Sequence, residues 1–103
     1  MPTGTLGQSA PSAATNTTLY TVPSAKIATF NVSVCNTNGS PVTVRLAVCA
    51  TSSPAAGEYF EYDAIIPPNG VLERNGIIAS ATKLIVGYAS AANVNFNLYG
   101  YEE

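Results

Sequence analysis

The chain has no histidine and no tryptophan, one methionine, two cysteines and very few charges. The missing histidine removes the commonest general base, the commonest metal ligand and the usual partner of a serine or cysteine nucleophile. That argues against an enzyme. Charged residues make up 10% of the chain, against about 25% in an average soluble domain. A free monomer normally carries more charge to stay soluble and unassociated. The deficit points to a surface partly covered by neighbours, and a homo-oligomer is expected. The basic residues Lys26, Arg45, Arg74 and Lys83 are scattered and the net charge is −2, which argues against nucleic acid as a partner. No apolar run approaches the roughly 20 residues of a membrane helix. The opening "MPTGTLGQSAPSAATN" lacks both the basic and the apolar regions of a cleavable signal. Neither membrane, metal nor cofactor is expected.

What the sequence does have is alternation. Ala28, Phe30, Val32 and Val34 alternate with Thr29, Asn31, Ser33 and Cys35. Val42, Val44, Leu46 and Val48 alternate with Thr43, Arg45 and Ala47. Leu84, Val86 and Tyr88 alternate with Lys83, Ile85 and Gly87, with Tyr88 placed in the core. Val94, Phe96 and Leu98 alternate with Asn95, Asn97 and Tyr99. A period of two means half-buried strands. Adding "TTLYTV", "EYFEYDAII" and "VLERNGII" gives about seven short strands, with turn-forming clusters every 8 to 12 residues or so. The expectation is an all-β, antiparallel sandwich of about seven strands over residues 17–103. The uncharged residues 1–16 read as an extended arm, and the 103 residues as one domain.

If "NTNGSP" closes a hairpin between the second and third of these strands, Cys35 pairs near residue 41 or 43. Cys49 then lies roughly 20 to 26 Å further along, beyond the limit of about 7 Å between Cα atoms for a disulfide. Two free thiols are expected.

Charge concentrates in "EYFEYDAIIPPNGVLERNGI", residues 58–77, which holds Glu58, Glu61, Asp63, Glu73 and Arg74. Glu61 and Asp63 stand two apart on a strand, roughly 6.6 Å by rise, a gap like that of paired glycosidase carboxylates. One acid of such a pair must be desolvated, and the chain offers no Trp platform for a sugar. The reading is two strands joined by a turn at "PPNG", with Pro68 presetting φ and Gly70 supplying a positive φ. Glu61 and Asp63 then form a polar outer face, with Phe60 and Tyr62 on the core side. Leu72 and Arg74 share a parity, so either Arg74 sits at the rim or a bulge intervenes.

At "LYTVPSAKIATFNVSVCN", "EYFEYDAIIPPNGVLERNGI" and "NVNFNLYGYEE" the chain resembles a family of small phage virion proteins and tail-associated β-modules, many of them cyanophage-like. The family pattern has Ile where Phe60 stands and Thr where Asn75 stands. The resemblance spans about residues 18–103 and implies a β-rich module with a structural role in the particle, assembled in the host cytoplasm. The first expectation is a capsid decoration (cement) protein on the head, with the major capsid protein or other virion proteins as partners. The alternative is a tail, fibre or baseplate component that touches the host surface. Interface candidates are Glu61, Asp63, Arg74, Tyr99 and Tyr101, together with Thr3 and Leu6 of the arm.

Overall fold

The computed structural model describes residues 3–103, with side chains from residue 4 onward. It contains eight strands: β1 (Thr3–Ser9), β2 (Thr17–Thr21), β3 (Ala28–Asn36), β4 (Val42–Cys49), β5 (Tyr59–Ile66), β6 (Val71–Ala79), β7 (Leu84–Ala89) and β8 (Val94–Glu102). All pairings are antiparallel, in two four-stranded sheets. Sheet A has the order β1-β8-β3-β6 and sheet B the order β2-β7-β4-β5. Among the connections only β4 to β5 stays within one sheet. Eight strands wound in this way make a jelly roll.

The apolar rows seen in the sequence explain the core. Phe30, Val32 and Val34 of β3 and Val94, Phe96 and Leu98 of β8 face Val42, Val44 and Leu46 of β4, all buried between the sheets. In β7 the assignment reverses. Ile85 enters the main core, while Val86 and Leu84 pack in a second cluster with Ala47, Cys49 and Tyr59 on the far side of sheet B. Tyr88 therefore lies on the outer face, opposite Arg45. A strand apolar on both faces carries no period-two signal to decide which face is which.

The N-terminal stretch expected as an arm is strand β1 over Thr3–Ser9, paired along its length with β8. Leu6 packs against the core, and Gly7 lies so close to β2 that an added Cβ would stand 2.5 Å from the Leu19 carbonyl oxygen. Docking, and not the weak strand propensity of "TGTLGQS", makes this segment a strand.

Two expected hairpins are crossings between sheets. β3 and β4 belong to different sheets, so Cys35 faces Val71 and Asn95 in sheet A while Cys49 faces Leu84 in sheet B. Both thiols are free, because the two cysteines occupy different layers and not because they are spread along one hairpin. Residues 67–70 likewise carry the chain from β5 of sheet B to β6 of sheet A. Gly70 N–H donates to Pro67 O at 2.9 Å, and the positive φ of 58° belongs to Asn69. That is a type II turn with Asn, not the glycine, at its left-handed position.

Asn36 holds both crossings. It is fully buried, and its Nδ2 faces the carbonyls of Ser40 (2.9 Å), Ile66 (3.2 Å) and Pro67 (3.1 Å). Its Oδ1 accepts from Asn38 N–H at 2.9 Å. One amide thus ties two turning backbones together.

Candidate functional site

Strand β5 departs from a plain ladder where the charge is concentrated. Ala64 pairs with Val44 and Glu61 with Leu46, so Tyr62 and Asp63 together stand opposite Arg45 alone. Asp63 takes the left-handed φ of 52°. An extra residue of this kind rotates the side chains that follow it. Glu61 and Asp63 consequently face different ways, and the shared polar face expected from their spacing does not form. Tyr62, expected in the core, is 59% exposed, while Phe60 does pack against the core.

Each carboxylate is matched by an arginine. Glu61 lies towards the sandwich interior, where Arg74 reaches it from β6 with Nε–Oε2 and Nη2–Oε1 distances of 2.9 Å each. β5 and β6 are edge strands of opposite sheets, so this fork-to-fork pair closes one open side of the sandwich. Arg74 stands at the rim, opposite Val32, and the register shift follows it before Ile77. The rim is the explanation for its parity: Leu72, Glu73 and Arg74 pair in unbroken register with Val34, Ser33 and Val32, and the bulge comes only after Arg74.

On the outer face, Asp63 Oδ1 accepts from Arg45 Nε at 2.7 Å. The Arg45 guanidinium carbon lies 4.3 Å from the centroid of the Tyr62 ring and 4.5 Å from that of Tyr88. Tyr59 meets Tyr62 edge-on, with centroids 4.9 Å apart. The cation is therefore held between two aromatic faces and pinned along one edge by a carboxylate. The Asp63 hydrogen bond raises the guanidinium pKa above its ordinary value. Partial burial opposes this, and the Asp63, Tyr62 and Tyr88 charges add to it. Ile65, two residues on, is 72% exposed. Arg45 and both acids are thus engaged within the fold.

The loop beneath this cluster is closed by Glu58. Its carboxylate accepts from Ala50 N–H at 3.1 Å and Ala55 N–H at 2.8 Å. The Ala55 bond, then the Ala50 bond and the Lys83 charge, hold this carboxyl below its ordinary value of 4.5, with burial opposing. A depressed folded-state value means stabilisation that is complete above the unfolded-state pKa and lost as pH falls through the folded one. Protection of the Ala50 and Ala55 amides from hydrogen exchange should therefore drop as pH falls through the lowered titration of this carboxyl, and Glu58→Gln should remove that pH dependence.

The remaining candidates scatter. Tyr99 and Tyr101 lie on the outer face of sheet A, on the opposite side of the molecule from Arg45. Leu6 faces the core, and Thr3 pairs with Tyr101 through its backbone. Arg45, Tyr88 and Asn36 were not among the candidates. A lone arginine amid "VTVRLAVC" was the available signal, since a charge in a central strand needs a partner. Among the described residues, no group of three His, Cys, Asp or Glu side chains could hold a metal ion. Comparison with family models, curated proteins and solved structures finds no match to this chain.

Proposed function

We propose that the chain is a structural protein of a phage particle. It would be a decoration protein that binds the major capsid protein as a homo-oligomer across capsomer boundaries and stabilises the head. The observation that carries this reading is the Tyr62–Arg45–Tyr88 stack beside exposed Ile65 on the outer face of sheet B. Aromatic residues and arginine dominate the energetic centres of protein interfaces. Here they are fixed by one another before any partner arrives, which lowers the entropy lost on binding. The molecule measures 41 × 28 × 19 Å, so a broad face offers roughly the 800 Å² per partner of a standard interface. Jelly rolls serve viral shells, lectins and cupins alike, so the fold is compatible with this role without selecting it. The phage particle itself comes from the resemblance at "EYFEYDAIIPPNGVLERNGI".

The test uses particles grown from the genome that encodes the chain. Labelled antibody against it should mark shells, and particles lacking it should assemble but lose their genome on heating. Label on tails would move the protein to the alternative tail, fibre or baseplate role. Unlabelled particles, or an unchanged heating profile, would remove the decoration role.

A further inference from the structure

The outer face of sheet A has a different chemistry from that of sheet B. Tyr101, Tyr99, Asn97 and Asn95 form one outward row along β8, at intervals of about 6.7 Å. Gln8 of β1 stands beside Asn97, and Asn31 of β3 beside Tyr99. A depression of about 440 Å³ opens at the end of this row, lined by Gln8, Ser9, Ala10, Asn95, Phe96 and Asn97. That volume lies within the range of small-ligand sites.

Gln8 Nε2 donates to Asn97 Oδ1 at 2.9 Å. The bond orients both amides, with Asn97 Nδ2 as the remaining donor and Gln8 Oε1 as the remaining acceptor. A donor and an acceptor are thus held side by side at the depression. Adjacent hydroxyls of a pyranose, each able to donate and accept, match such a pair. Tyr99 and Tyr101 are 38% and 41% exposed, so part of each ring is open to the C–H face of a sugar next to the amides.

Charge decides the class of ligand. No outward side chain of β1, β8 or β3 on this face is charged, the flanking β6 adds the acidic Glu73 beside Ser33, and the chain as a whole carries −2. An anionic saccharide, a phosphate or an acidic headgroup would find no counter-ion and a weakly repelling field. The exposed aliphatic side chains of this sheet, Val71 and Ile78, lie on the edge strand β6, on the far side of β3 from the amides. We infer that the outer face of sheet A around Gln8, Asn95, Asn97 and Tyr99 binds neutral oligosaccharide. Tyr99 stacks on a ring, and the oriented amides read its hydroxyls. One such open site is weak, and several copies displayed on one assembly would bind by avidity. The inference holds wherever on a particle the chain sits, because it uses a face that the interaction site leaves free.

The experiment titrates the isotopically labelled full chain with malto-, cello-, manno- and chito-oligosaccharides, with oligogalacturonate as the anionic control, and follows amide resonances. At least one neutral series should shift resonances of β1, β8 and β3 together, and oligogalacturonate should not. Asn97→Ala and Tyr99→Ala should each weaken that binding by about tenfold or more without lowering the unfolding midpoint, while Tyr62→Ala binds as the parent does. Several results would overturn the assignment: no shift with any neutral series, equal shifts with the anionic one, or equal loss in Tyr62→Ala. Shifts of the same residues on raising protein concentration alone would do so too, since they would mark the face as a contact between copies. Each of these leaves the sheet B reading standing.

Discussion

Gly100→Ala should destabilise the domain by about 3 kcal/mol or more, the upper range for forcing atoms into a packed site. Gly100 lies in β8, between β1 and β3, opposite Phe30. A Cβ there would stand 2.2 Å from the Thr29 carbonyl oxygen and 2.7 Å from the Phe30 Cα. Both obstacles are backbone, so no rotamer change relieves them, and β3 and β8 must part locally. Against a total stability of about 5–15 kcal/mol for a small domain, this is a large fraction. Urea unfolding should show the loss as a lowered midpoint with an unchanged slope. Gly39→Ala is the matched control, since nothing lies within 4 Å of its added Cβ. A loss for Gly100→Ala no larger than that of Gly39→Ala would show that the two strands are not packed this tightly.

Asn36→Ala should cost about 1–3 kcal/mol, because it removes a fully buried amide and its bond to the buried Ile66 carbonyl together with its links to the two turns. The bonds lost are those to the carbonyls of Ser40 and Ile66 and from the Asn38 N–H, while the Pro67 carbonyl keeps the Gly70 N–H. Asn36→Asp distinguishes hydrogen bonding from simple filling of space. A carboxylate has the same shape but cannot donate to three carbonyls, so at neutral pH it should be at least as damaging as Ala. It should recover part of the loss in acid, once protonated. Equal stability of Asn36→Asp and the parent at pH 7 would mean the amide does not hold the crossings.

How far these features could be read in advance follows from period and partner. The rows Ala28–Val34, Val42–Leu46 and Val94–Leu98 alternate cleanly, and the structure buries them as the sequence indicates. β7 is apolar on both faces, so its direction was undetermined by pattern. β1 was illegible because its order comes from β8 and from close approach to Leu19, neither of which leaves a mark in "TGTLGQS". Crossings between sheets were misread as hairpins because turn residues report a reversal but not which layer the chain enters. In the candidate site, the failure lies in the register of β5. Counting by twos places Glu61 with Asp63 and Phe60 with Tyr62, but a register shift at Phe60 lets Phe60 and Glu61 both face inward, and a second opposite Arg45 sends Asp63 and Tyr62 outward to the arginine. Bulges cluster where a side chain must be re-aimed, and here the re-aimed residues are the ones that meet Arg45 on the outer face of sheet B.

The most direct measurement of that surface's role is occupancy. Purified parent chain and the variants Tyr62→Ala and Ile65→Asp would each be added to particles lacking the protein, and copies bound per shell counted by quantitative mass spectrometry. Both positions are largely exposed, so unfolding midpoints should stay near that of the parent. The expected result is parent chain on the shells and occupancy reduced by about tenfold or more in both variants. Parent chain that fails to bind shells, or variants that bind as fully as the parent, would contradict a decoration protein that docks through the outer face of sheet B.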